Sequence, residues 1–377
     1  MISIPTPERA GAVLRIDLAA IVANWRQLRD RVAPAGCAAV VKADGYALGA
    51  AQVAPALLAA GCRTFFVATL DEGLALRRGL DGMDSGLACD ILVLNGIPIG
   101  AAADMLRHRL TPVLNALADV DAWTAVARLR DVTVPAALHV DTGMSRLGLP
   151  AEEIAELARD PRRLDGLELC CIISHLACAD TPDHPLNAGQ SEAFRGVLAR
   201  LPRSPASLAN SSGIFLGPGY WHDLVRPGAA LYGVAPVPGQ PNPMRGVVRL
   251  DGKILQVRRI DSGSSVGYGA THSAVGRTKI ATVGVGYADG FLRSLSNRGS
   301  GYIGDQRVPL AGRVSMDLIT FDVSGVPEAL AHPGATIELI GPHRPIDALA
   351  EEAGTIGYEI LTALGARYAR VYAPAEA

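Results

Sequence analysis

The sequence predicts an α/β fold: a (β/α)8 TIM-like barrel followed by a smaller, mostly β C-terminal domain. Three observations carry that expectation. From residue 13 to residue 232, short apolar runs alternate with amphipathic helical stretches, enough for eight β–α units of a closed barrel. After Gly233 the texture changes to alternating, β-branched segments separated by glycines. No G-x-G-x-x-G follows the first apolar run, which weakens the alternative, an open doubly wound sheet that binds a dinucleotide. The expected division is 1–240 for the barrel and 241–377 for the β domain.

The strands come first. Residues 13–17, 38–42, 64–68, 91–94, 110–114, 136–141, 166–174, 207–210 and 224–226 are largely apolar rather than alternating, as strands of a parallel sheet buried on both faces should be. Between them, 18–31, 50–60, 71–78, 99–107, 117–130, 151–159 and 186–201 repeat apolar residues at helical spacing. Residues 235–243 hold four prolines and read as a crossover. Beyond lie β segments at 247–260, 278–286, 307–323 and 336–340, then helices at 346–353 and near 358–364.

Composition narrows the function. With 35 Lys+Arg against 37 Asp+Glu, the chain lacks the basic excess that phosphate-backbone binding needs, so nucleic acid is not an expected partner. A hydrophobic fraction of 49% and a mean hydropathy of +0.23 exclude wholesale disorder. The apolar run 167–176 is interrupted by Glu168 and His175 and falls short of the ~18–20 residues of a membrane span, so no membrane is expected. No apolar stretch near Met1 reads as a signal peptide, and none of the six cysteines form a C-x-x-C pair. A reduced, cytoplasmic protein without a metal site is the expectation.

Only three of the basic residues are lysines, Lys42, Lys253 and Lys279. Arginine substitutes for lysine as a cation but cannot lose a proton to become an amine nucleophile. Lys42 ends the apolar run 37–41, at the carboxyl end of a strand, where barrels place their chemistry. It is a candidate Schiff-base amine. The other polar residues at strand ends are His139, Asp141, Arg146, His175, Asn210, Ser211 and Arg226. Hydroxyls and free N–H groups after the last two strands, around Asn210-Ser211 and Arg226-Pro227-Gly228-Ala229, suit a phosphate. A lysine amine and a phosphate cradle on one barrel face point to pyridoxal 5′-phosphate.

These motifs carry a resemblance. Ala39-Val40-Val41-Lys42-Ala43-Asp44-Gly45-Tyr46, Val140-Asp141-Thr142-Gly143-Met144-Ser145-Arg146-Leu147-Gly148, Ser174-His175-Leu176, Arg226-Pro227-Gly228-Ala229, Val266-Gly267-Tyr268-Gly269, Gly286-Tyr287-Ala288-Asp289-Gly290 and Arg313-Val314-Ser315-Met316-Asp317 follow one another as in the alanine racemases, which the chain resembles over nearly its whole length. The resemblance implies a homodimer with shared active sites, interconverting L- and D-alanine by a two-base mechanism. The D-alanine would supply peptidoglycan or alanine catabolism; a broader amino-acid racemase is the alternative. Lys42 would hold the cofactor covalently, and Tyr268 of the partner subunit would be the second acid/base. Tyr46, Asn210, Ser211, Gly228 and Ala229 would surround the phosphate. Arg146 would approach the cofactor's phenolic oxygen and the substrate, Arg226 the pyridine nitrogen, and His175 would link Tyr268 to Arg226. Tyr287 and Met316 would contact substrate at the dimer interface. The chain departs from the family pattern at His139, where a carbamylated lysine often orients Arg146, at Ser207, where a histidine often supports Arg226, at Asp44, Ala47 and Leu48 within the lysine motif, and at Ala366, where some members place a phosphate-contacting tyrosine.

Overall fold

The computed structural model describes residues 5–81 and 89–374. They form two compact units, one of residues 22–231 and 235–243, the other of residues 5–21, 232–234 and 244–374.

The first unit is the barrel. Seven parallel strand positions run in chain order: Ala39–Val40, Thr64–Val67, Asp90–Val93, Leu110–Leu114, Val134–His139, Leu167–Ile173 and Ala206–Ser207. Leu224–Val225 supplies the eighth. It pairs in parallel with Gly36–Cys37, which leads directly into the first strand. On its other side the Asp223 and Arg226 N–H groups donate to the Ala206 and Ala209 carbonyls at 3.0 and 2.9 Å. The sheet thus closes with no free edge. Ala38, Val40, Phe66, Leu92, Val113, Ala137, Cys171 and Ile173, from six successive strand positions, form one buried cluster in its interior. The intervening helices include Ala50–Ala59, Leu70–Asp81, Leu117–Arg130, Ala151–Arg159 and Pro185–Leu198, each with one buried apolar stripe.

The second unit is built on the long strand Val248–Ile260. It pairs antiparallel with Ala12–Asp17, Thr278–Val283 and Thr336–Ile340. Ala369–Ala373 adds in parallel to Ala12–Asp17.

Here the sequence expectation needs correction. The N-terminal run at 13–17 is a strand, but not a barrel strand: it lies between Val248–Ile260 and Ala369–Ala373 in the β unit. It reads as a barrel strand because a strand inserted between two others is as apolar as one in a parallel barrel, with Ala12, Val13, Leu14 and Ile16 all buried. The expected single segment at 307–323 also resolves into two strands, Gln306–Pro309 and Ile319–Asp322, separated by the loop that carries Met316.

Candidate active site

Lys42 follows the first barrel strand and opens a turn of unusual hand. Ala43, Asp44, Gly45, Tyr46 and Ala47 all have positive φ, between 53° and 62°. A left-handed turn costs roughly 1–2 kcal/mol for each residue that bears a Cβ. Specific bonds offset that cost. The Glu72 carboxylate accepts the Ala43 N–H at 2.8 Å with one oxygen and the Ala68 N–H at 2.7 Å with the other. Asp44 Oδ1 accepts the Ala50 N–H at 2.8 Å, and the Ala47 N–H closes on the Ala43 carbonyl at 2.7 Å. Locally, Thr69-Leu70-Asp71-Glu72 marks Glu72 only as a capping residue, with the Thr69 N–H on its carboxylate and its own N–H on Thr69 Oγ1, both at 3.3 Å; its bond to the Ala43 turn has no local mark, because that turn lies far back along the chain. Burial, and after it the Arg146 charge, push the Lys42 amine below the usual lysine range, with Glu72 opposing them.

Tyr46 ends this turn against Gly228. A Cβ built on Gly228 would lie 2.3 Å from the Tyr46 hydroxyl, so only glycine allows the approach. Ser211 Oγ accepts the Gly228 and Ala230 N–H groups at 3.0 and 3.2 Å, which leaves its own hydroxyl proton for another acceptor. The Ala229 N–H has no partner among the described residues. Asn210 Oδ1 accepts the Gly213 N–H at 2.9 Å and shapes the same loop. The Ser211 hydroxyl and the Ala229 N–H are therefore donors in one small cradle, beside Tyr46 and the Cβ-less Gly228.

Arg226 is buried, and among the described residues no carboxylate pairs with it. Its guanidinium donates to Ser207 Oγ and to the Ser174 carbonyl, the latter at 2.6 Å, and lies 5.9 Å from the centre of the Phe66 ring. Ser207, in turn, donates to the Leu224 carbonyl at 2.5 Å. Burial lowers Arg226 to about 10, so it stays charged at neutral pH. Among the described residues no hydrogen bond joins His175 to Arg226, whose Nη1 and Nη2 donate to Ser207 and Ser174. His175 stays neutral: burial, then Arg226, Arg146, Lys42 and His139, push it down to about 3. Its carbonyl accepts from the buried Gln190 amide at 2.8 Å.

His139 ends its strand as expected, with Nδ1 on Asn115 Oδ1 at 2.7 Å. Burial, then Arg226, lower it to about 4. Burial alone would raise the Asp141 carboxyl, but the N–H groups of Gly143, Ser145 and Met144 outweigh it and hold it lowered. That carboxylate folds the loop that carries Arg146.

Tyr268, Tyr287 and Met316 belong to the β unit, and all three are exposed, Tyr268 at 73%. The Tyr287 and Ala288 N–H groups donate to the Ser315 and Met316 carbonyls, both at 3.0 Å. A Cβ on Gly286 would fall 2.3 Å from the Met316 oxygen. Tyr287 and Met316 thus stand side by side on two loops pinned together.

Fold and site define a barrel enzyme with one lysine, Lys42, and the cations Arg146 and Arg226 clustered at the carboxyl ends of its strands, and a β unit with exposed tyrosines. The family model for the alanine racemase N-terminal domain matches residues 16–236, and that for the C-terminal domain matches 247–372. An alanine racemase of Rhodospirillum rubrum is 56% identical over 97% of this chain and 96% of its own. A catabolic alanine racemase of Mesorhizobium japonicum is 50% identical over 96% and 93%. The solved alanine racemase of Bartonella henselae, with covalently bound pyridoxal phosphate, superposes with a TM-score of 0.91 at 42% identity, covering 97% of this chain and all of that one. The chain belongs to the alanine racemase family, and its activity is alanine racemisation, an isomerisation.

Proposed function

We propose that the chain racemises alanine with pyridoxal 5′-phosphate, as a homodimer in which Lys42 and Tyr268 of the partner subunit are the two acid/base groups. The observation that carries the cofactor is Arg226, a buried cation with no carboxylate beside it. Burying an unpaired charge is costly unless a bound acceptor meets it. In the cradle of Tyr46, Ser211, Gly228 and Ala229, the Ser211 hydroxyl and the Ala229 N–H offer donors to a phosphate. When bound, pyridoxal phosphate supplies the electron sink that makes the Cα proton of alanine removable.

The protein's own groups then move that proton. Racemisation takes a proton from one face of Cα and returns one to the other, so one acid/base group is needed on each face. Burial, and after it the Arg146 charge, weaken the hold of the Lys42 amine on its proton, which suits it to acid/base work. The Tyr268 phenol, exposed on its own subunit, is open to serve a neighbouring one. Arg146 would hold the substrate carboxylate and the cofactor's phenolic oxygen. Arg226 would face the ring nitrogen with donors only, and among the described residues no carboxylate stands beside it to stabilise a proton there. Tyr287 and Met316 would bound the substrate. Among the described residues no helix is long and apolar enough to cross a membrane, and the six cysteines are unpaired, which supports a reduced, cytoplasmic setting.

The test is subunit complementation. Lys42→Ala and Tyr268→Phe should each lose racemisation of L-alanine in D2O by more than ~100-fold, with Tyr268→Phe keeping the visible absorbance of bound cofactor. Mixed and re-associated, the two variants should recover up to about a quarter of wild-type activity, because half the dimers carry one intact site. No recovery from a demonstrated mixed dimer would refute the shared site.

A further inference from the structure

Asn115 and His139 form a pair that the sequence does not connect. Asn115 follows the strand Leu110–Leu114, and His139 ends the next one, Val134–His139, which runs parallel beside it. Asn115 Nδ2 donates to the Leu94 and Val113 carbonyls, both at 3.0 Å. Carbonyls only accept, so the orientation of the amide is fixed and its oxygen faces His139 Nδ1 at 2.7 Å. An amide oxygen cannot donate, so the hydrogen sits on Nδ1. The imidazole is neutral at working pH, and its lone pair is on Nε2. Among the described residues, Nε2 has no hydrogen-bond partner.

The loop over that ring edge carries Arg146. The Leu149 N–H donates to the His139 carbonyl at 2.8 Å, and the Asp141 N–H to the Leu149 carbonyl at 3.0 Å. Gly148 packs so tightly that a Cβ on it would lie 3.1 Å from His139 Cδ2, the carbon bonded to Nε2. Arg146 is two residues before Gly148, and its guanidinium makes no hydrogen bond or ion pair among the described residues. Asp141, the nearest acid in the loop, already accepts from three backbone N–H groups. An acceptor without a donor stands at the foot of a loop that carries a donor without an acceptor.

We propose that Asn115 is a positioning residue for Arg146: it locks His139 as the Nδ1–H tautomer, and the bare Nε2 receives the Arg146 guanidinium. A neutral acceptor orients Arg146 without cancelling its charge, so the full cation remains for the substrate carboxylate. The inference rests on the reading of Arg146 as a substrate-facing group.

Long-range 1H–15N spectra of the 15N-labelled holoenzyme test the lock, with His139 assigned by its loss in His139→Gln. The charged groups acting on this ring are Arg226, Asp141 and Arg146. The expected result is an Nδ1–H pattern unchanged between about pH 5.5 and 8. An Nε2–H tautomer, or titration in the ordinary histidine range, overturns the proposal. Asn115→Leu should mix the tautomers and raise the KM for alanine about tenfold, with kcat changed less than about threefold. An unchanged KM with the tautomers mixed also overturns it. Should that variant not fold, Asn115→Asp keeps the shape but favours a charged imidazole that repels Arg146; KM should then rise as pH falls, and a flat profile refutes the role. Arg146→Gln separates the two readings: an unaffected KM there sinks the substrate role of Arg146, whereas a wrong tautomer sinks only the present inference.

Discussion

Replacing Gly228 by alanine tests the cradle directly. The new methyl carbon would start 2.3 Å from the Tyr46 hydroxyl oxygen and 3.1 Å from the ring carbon that bears it. Carbon and oxygen in ordinary contact need roughly 3.3 Å, so the phenol must retreat by about 1 Å. Tyr46 has little room to do so. Its ring is rigid, and its backbone belongs to the left-handed turn held by Glu72 and Asp44. Overpacking of this kind costs about 1–3 kcal/mol. If the donors of Tyr46 and the Gly228 loop hold the phosphate together, that cost falls on the cofactor, whose Kd should rise about 10- to 100-fold. Titrating the cofactor-free chain with pyridoxal phosphate, followed by fluorescence, reads it. A cycle with Tyr46→Phe isolates the contact, because removing the oxygen leaves only the 3.1 Å approach. Gly228→Ala should then cost much less. A Kd within about twofold of wild type for the single variant, or an equal penalty in both backgrounds, would refute the reasoning.

Three further outcomes follow from the same geometry. Glu72→Ala removes the acceptor of the Ala43 and Ala68 N–H groups, so thermal melts should show a loss of about 1.5–3 kcal/mol, and Glu72→Gln should recover part of it. Ser211→Ala strands the buried Gly228 and Ala230 N–H groups and should cost about 1–3 kcal/mol by denaturant unfolding of the cofactor-free chain, whereas Ser211→Thr keeps the acceptor. His139 and His175 are held below the ordinary histidine value, at about 4 and about 3. The unfolded chain therefore takes up protons first as pH falls, so stability should drop from pH 6.5 towards 4, and His139→Gln should flatten the Tm profile in that window.

The class of fold and the candidate site residues are legible in the sequence. A repeating β–α pattern is local, and each run of strand or helix reports its own burial. Lys42, Arg226, Ser211 and Tyr268 are legible because each stands in a short contiguous motif. Helices such as Ile346–Ala353 are legible because their apolar period is self-contained. What the tertiary structure decided is everything that depends on which segments meet. The strand Ala12–Asp17 carries no mark of its sheet, since burial between Val248–Ile260 and Ala369–Ala373 looks the same in one dimension as burial in a barrel. The hand of the turn after Lys42 depends on Glu72, 29 positions beyond Ala43. The tautomer of His139 depends on Asn115, 24 positions away. The partners of Arg226 are a hydroxyl from the strand Ala206–Ser207 and a carbonyl just past the strand Leu167–Ile173. A side chain's identity sets what it can donate or accept; only the closed barrel sets which group receives it.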